Sequence, residues 1–153
     1  MALETRFADA YLDIRGLQRL AVEGDGLCFF RAVAQALGRS QPEEAARPLL
    51  ERLASDDAAK VWGDIGLRAK TQAAAALQDI AGLARRWDSA MLDLVPVYVY
   101  AVFCRPVHIY QVNVRDIVVL FLPEQEKAHA DPIRLCLTGR SIGQNHYDMV
   151  VEM

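Results

Sequence analysis

Cysteine is scarce in this chain: three residues, Cys28, Cys104 and Cys136, an odd number with no Cys-x-x-Cys spacing. That excludes a disulfide framework and a cysteine zinc site, and makes a reducing, cytoplasmic setting the expectation. Histidine is equally sparse, at positions 108, 129 and 146, so neither a metal nor a cofactor is expected. No apolar run reaches membrane-spanning length without a charge. The opening Met1 to Arg6 holds no basic segment followed by an apolar one, so a soluble chain without a signal peptide and without a membrane partner is expected. Excess positive charge is missing too. Seventeen Lys and Arg stand against twenty Asp and Glu, a net charge of −3, which offers no general attraction to nucleic acid. Internal repeats and low-complexity linkers are absent, and Ala73 to Ala76 is a short run inside a helical segment.

What is present is enough apolar residue for one core. With 153 residues, 53% hydrophobic and 24% charged, residues 1–153 are expected to form a single domain, acting as a monomer, with residues 1–16 as an N-terminal helical extension. Phe7, Ala10, Tyr11 and Ile14 recur at helical spacing and Gly16 is a natural stop, so this helix is expected to lie as a lid on the core. Leu17 to Val22 reads as a short extended approach to a glycine turn. A helix then runs from about Cys28 to Leu37 and ends at Gly38, and another spans Pro42 to Ala54, weakened at Pro48.

Residues 58–86 have helical composition. Val61, Ile65, Leu77, Ile80 and Leu83 are the expected buried positions, and Gly63, Gly66 and Gly82 the expected breaks. Asp93-Leu94-Val95-Pro96 reads as a helix start running to about Phe103, although Val97 to Tyr100 also fits a strand. After Arg105-Pro106 the pattern changes to short apolar runs: 107–112, 117–122, 132–137 and 146–151. These read as strands. Helices first and strands later predict an α+β domain, with helices against a small, mostly antiparallel sheet.

The stretch that organises the chain is Glu23-Gly24-Asp25-Gly26-Leu27-Cys28-Phe29-Phe30-Arg31. Its glycines permit a sharp turn with positive φ, and Phe29, Phe30, Val33 and Leu37 form the apolar stripe of the helix that follows. Cys28 therefore sits in a helix's first turn, where amide groups and the positive dipole end favour thiolate over thiol and offer donors to an oxyanion. A thiol nucleophile needs a base, and the base works better when a third group orients it. Near the C-terminus stands Asn145-His146-Tyr147-Asp148. On a strand, His146 and Asp148 share one face, and Tyr147 and Met149 the other.

The string Asp25-Gly26-Leu27-Cys28-Phe29-Phe30-Arg31 resembles the nucleophile loop of the ovarian tumour (OTU) family of cysteine proteases, usually Asp-Gly-Asn-Cys-Leu-Phe-Arg. The closing His146-Tyr147-Asp148 resembles that family's last strand. Trp87, a following helix and Arg105 to Tyr110 resemble its central passage, so the likeness spans residues 17–153. Leu27 replaces the usual asparagine, and the frequent Gly-Gly and Glu-Leu after the tryptophan are missing. The resemblance implies a papain-like OTU fold. It also implies Cys28 as nucleophile, His146 as general base, Asp148 as orienting acid and Asp25 as a supporting residue of the oxyanion loop. The amides of Asp25, Gly26 and Cys28 would be the oxyanion donors. The implied activity is a thiol-dependent deubiquitinase working through a thioester, with ubiquitin or a ubiquitin-like modifier and its conjugates as partners. A pathogen effector acting in a host cytoplasm is one setting for such a domain. The alternatives are a silent OTU-like module that binds ubiquitin or another protein, and a papain-like thiol peptidase or acyltransferase.

Plainer roles are expected elsewhere. Cys104 and Cys136 sit in apolar runs and read as buried, structural thiols. His108 and His129 read as structural or solvated, Trp62 and Trp87 as core anchors, Arg31 as a surface ion-pair partner, Arg85-Arg86 as a solvated helix end and Tyr147 as packing beneath its strand.

Overall fold

The computed structural model describes residues 3–23, 27–80, 94–112, 117–122, 131–139 and 146–153. The chain opens with α1 (Leu3–Ile14) and β1 (Leu17–Leu20), and continues through α2 (Cys28–Ala36), α3 (Glu43–Ser55), α4 (Ala58–Trp62) and α5 (Asp64–Gln78). A 3-10 turn over Val95–Tyr98 runs directly into α6 (Val99–Phe103). Strands β2 (Val107–Val112), β3 (Ile117–Leu122), β4 (Ile133–Thr138) and β5 (His146–Glu152) complete it.

The five described strands form one sheet in the order β1-β5-β4-β2-β3. The pairings β1 with β5, β5 with β4, and β2 with β3 are antiparallel, while β2 and β4 run parallel. The fold is therefore α+β with a mostly antiparallel sheet, as the order of helical and strand patterns predicts. β1 lies beside the last strand, with Leu17 opposite Glu152 and Leu20 opposite Met149. That pairing carries the segment leading to Cys28 to the strand that begins with His146.

The inner strands of the sheet are covered on both faces, while the edge strand β3 stays half exposed. On one side Phe29, Phe30, Val33, Leu49, Leu50 and Leu53 pack with Ile109, Leu135 and Tyr147 in the main core. Each fully buried phenylalanine contributes on the order of 1.5–3 kcal/mol. The Phe29 and Tyr147 rings meet edge to face with centroids 5.0 Å apart, which seats α2 on β5. Arg105 fixes the other end of α2: its Nη1 donates to the Ala36 carbonyl at 3.0 Å and its Nε to the Asp131 carbonyl at 2.9 Å, a cation on a helix C-terminus.

On the opposite face α1 builds a second, smaller core: Ala8 and Leu12 pack with Leu17, Tyr110, Val112, Cys136 and Val150. The expected stripe is displaced. Tyr11 is partly buried, but Phe7 is 39% and Ile14 82% exposed, because the small Ala8 lets the helix approach the sheet closely along a neighbouring face. Gly16 follows with φ +73 and closes the helix as expected.

Further expectations are corrected. In α5 the buried side is Gly66, Ala69, Ala73 and Ala76, whereas Ile65 faces solvent, as do Val61 and the 41% exposed Trp62 of α4. Close packing of α5 on α3 selects the smallest residues for the contact. Gly66 is accordingly inside the helix, and the break between α4 and α5 falls at Gly63, where φ is +65. Cys104 is exposed, in the left-handed conformation (φ 57) that ends α6. The strand reading of 97–100 is also set aside: Pro96 starts a 3-10 turn that continues as helix. Leu77 and Ile80 do pack as expected, and Cys136 is fully buried. Leu83, Gly82, Arg85, Arg86, Trp87, Asp93 and His129 lie outside the described residues.

Candidate active site

Cys28 is the first residue of α2 and is 7% exposed. Two features place it. Phe29, Phe30 and Val33 bury the helix face that follows, and the N-cap position is Leu27, which makes no side-chain cap hydrogen bond. The pairing of β1 with β5 ends at Met149. Beyond that point the Tyr147 N–H turns to the sulfur instead of to a strand, donating to Cys28 Sγ at 3.4 Å. An N–H donor on sulfur and a position in a helix's first turn both favour the charged form of a thiol.

The strand alternation then sorts β5. Tyr147 is buried in the main core against Phe29, whereas Asp148 and Val150 point to the α1 side with His146. His146 Nε2 lies 2.7 Å from Asp148 Oδ1. A carboxylate only accepts, so in the neutral ring this contact assigns the proton to Nε2 and leaves Nδ1 as the lone-pair nitrogen. The His146 side chain is 28% exposed and that of Asp148 only 4%. The ring is thus anchored at Nε2 by a buried carboxylate while part of it stays accessible.

Asp148 is the sole buried charged residue among the described residues, at 3% exposure. A buried carboxylate needs its lone pairs filled, and three segments fill them. Val22 N–H donates to Oδ1 at 2.8 Å, beside His146, and Arg19 Nη1 donates to Oδ2 at 2.9 Å. Arg19 in turn holds Asp9 of α1 through Nε at 2.9 Å and Nη2 at 3.2 Å. The hydrogen bond to Asp9 is the largest influence on Arg19 and raises its pKa despite partial burial, so the guanidinium is fixed in its charged form. Cys136 stands directly opposite Asp148 across the sheet, and burial first, then the Asp148 charge, pushes its thiol up to about 12. It is a neutral packing group at physiological pH.

Of the residues singled out in the sequence, the structure brings Cys28, His146 and Asp148 to one end of the β5–α2 contact. Asp25 and Gly26 lie outside the described residues. Arg31 does take a surface ion pair, with Glu23 at 3.9 Å. Arg19, Asp9 and the Val22 amide were not anticipated. Arg19 left one trace in the sequence, a charge inside the short apolar run Leu17 to Val22; Asp9 left none. Among the described residues no group of three acidic, histidine or cysteine side chains is placed to hold a metal ion, and no helix is long and apolar enough to cross a membrane.

This arrangement of sheet, helices and site aligns with the OTU domain of OTUD1, with a TM-score of 0.63 over 97% of this chain and 95% of that one. The chain has the OTU fold. It is held at 20% sequence identity. The OTU deubiquitinase from Wolbachia pipientis wMel bound to ubiquitin aligns with a TM-score of 0.57 at 12% identity, covering 90% of this chain and 97% of that one. The viral OTU domain protease from Farallon virus aligns at 0.52 and 16% identity, over 90% and 85%. No family model matches the sequence, and no curated protein does. The OTU fold thus persists here through its apolar pattern and topology, with little retained residue identity.

Proposed function

We propose that this OTU-fold domain is a thiol-dependent deubiquitinase, hydrolysing isopeptide bonds at the C-terminus of ubiquitin or a ubiquitin-like modifier. The observation that carries the reading is the buried Asp148 holding the Nε2 side of His146 at 2.7 Å, next to a strand N–H that donates to Cys28 Sγ. Solved OTU deubiquitinases of the same fold, one of them bound to ubiquitin, support the choice of substrate.

In this reading His146 Nδ1 takes the Cys28 proton, and the thiolate attacks the carbonyl carbon of the modifier's terminal glycine. The oxyanion is received by backbone amides of the loop that leads into α2, with Asp25, Gly26 and Cys28 as the proposed donors. Collapse expels the lysine amine, which takes the proton from His146 and leaves a thioester on Cys28. Water, losing a proton to His146, then releases the modifier and restores the thiol. Asp148 keeps the ring in the tautomer this needs and stabilises the imidazolium.

Ubiquitin carrying a C-terminal alkyne or vinyl electrophile tests the reading directly. The expected result is an intact-mass increase of one ubiquitin, absent in Cys28→Ala and in His146→Ala. Tight binding of the probe without a covalent bond would make the domain a silent binding module, and turnover of peptides without labelling would make it a general thiol peptidase.

A further inference from the structure

Asp148 uses its two oxygens differently. Oδ1 is shared by His146 Nε2 and the Val22 N–H, while Oδ2 receives only the Arg19 guanidinium among the contacts described. We propose that Arg19 is a positioning residue for the reaction, locking the Asp148 carboxylate against His146, with Asp9 on α1 as its anchor. The inference rests on the roles proposed above for His146 and Asp148.

The physical case starts from torsion. The last bond of an aspartate side chain rotates over a broad, two-fold well, so a carboxylate held through one oxygen can swing away from its partner. A planar guanidinium on the second oxygen removes that freedom. Arg19 is well suited because it is itself immobilised: Nε and Nη2 straddle both oxygens of Asp9 at 2.9 and 3.2 Å, leaving Nη1 aimed at Asp148. Lysine offers a charge but no such fork.

Charge explains why an anchor of negative sign is used. A lone Arg19 beside Asp148 would cancel the field that His146 needs when it becomes an imidazolium. Adding Asp9 gives a triad of net charge −1 behind the ring. Arg19 then supplies geometry while Asp9 returns the negative charge that Arg19 would otherwise neutralise. The N-terminal helix becomes part of the site in this way: α1 carries Asp9, β1 carries Arg19, and β5 carries Asp148 and His146.

The test compares wild type with Arg19→Met, Arg19→Lys, Asp9→Asn, Asp148→Asn and the double variant Arg19→Met/Asp148→Asn. Two readouts are used: kcat and KM on ubiquitin bearing a C-terminal fluorogenic amide, and the NMR signal of the His146 ring Nε2–H, which needs no substrate. Arg19→Met is expected to lower kcat about tenfold or more with KM within about twofold, and to lose the ring N–H signal. Arg19→Lys should restore part of both, and Asp9→Asn should show a smaller loss of about threefold. The double variant should be no worse than Asp148→Asn alone, since the group Arg19 positions is already gone. Wild-type kcat and ring signal in Arg19→Met overturn the proposal, as do losses in the double variant that simply multiply. If wild type itself fails to turn over ubiquitin, the proposed activity falls and the ring signal alone decides Arg19. Should Arg19→Met not fold, Arg19→Lys and Asp9→Asn carry the same two readouts.

Discussion

The N–H of Tyr147 and the sulfur of Cys28 are joined by a hydrogen bond of 3.4 Å, although 119 residues separate them in sequence. The contact is made where β1 stops pairing with β5, so the sulfur occupies a place that a longer β1 would have filled with backbone. Shortening of β1 is thus what admits the helix start to the strand carrying His146 and Asp148.

His146→Ala and Asp148→Asn are expected to rank in opposite orders for activity and stability. His146→Ala removes the base and should be the more severe loss in kcat/KM. Asp148→Asn keeps a carbonyl acceptor for the ring and should lose about ten- to a thousandfold. For stability the order reverses: Asn weakens the buried charge-assisted hydrogen bonds from Arg19 and the Val22 N–H, a cost of about 1–3 kcal/mol, while His146 is nearer the surface. Kinetics on a ubiquitin substrate and urea unfolding of both variants check the two orders.

Cys136 gives a pH dependence of known sign. Its folded thiol is pushed up to about 12 from an ordinary 9.0, so the folded state holds a proton that the unfolded chain releases first. The stability this contributes is complete below pH 9 and declines toward pH 12, by about 1.4 kcal/mol per pH unit at most. Tyr98 is raised as well, mainly by burial, and adds to the decline at its upper end. Cys136→Ala should therefore be less stable than wild type at pH 7, with the gap narrowing steadily from pH 9 to pH 11 in urea titrations.

Cys104→Gly is expected to stabilise. Cys104 ends α6 with φ 57 and ψ 28, a left-handed conformation that costs a residue with a Cβ about 1 kcal/mol and glycine almost nothing. Cys104→Ala keeps the strain and should unfold with wild-type stability, since the side chain is exposed. A rise in melting temperature for the glycine variant, and none for the alanine variant, is the outcome sought.

The face of α5 can be checked by size. Ala73 is fully buried, and Ala73→Leu should overpack the α3 contact at a cost of about 1–3 kcal/mol. Ile65→Ala, at a residue of the same helix that is 43% exposed, should change stability by no more than about 0.5 kcal/mol. Equal effects would return the helix to the face that its larger residues suggest.

Alternation and apolar runs were enough to place β2 to β5 nearly to the residue: β2 and β4 are buried over most of their length, and β3, though half exposed, is an unbroken β-branched and apolar run. The positive-φ stops at Gly16 and Gly38 were equally legible, since glycine suits such a position best. The spacing of His146 and Asp148 guaranteed a shared face once β5 was a strand. Helix faces were less readable. Hydrophobicity marks what prefers burial, but the α3–α5 contact selects for close approach, and alanine and glycine win it over valine and isoleucine.

What the sequence by itself determined, then, is the set of local elements and the residue types able to do thiol chemistry: a cysteine opening a helix, a histidine and an aspartate two apart on a strand. Only the tertiary structure decided that β1 lies beside β5, and so which groups neutralise Asp148. Arg19 and Asp9 lie 129 and 139 positions before Asp148 in sequence, and no local pattern encodes a charge whose partner is supplied by strand order. Burial creates that requirement. A carboxylate at 3% exposure must find donors from whatever the fold places beside it, and here the fold places the first helix and the first strand.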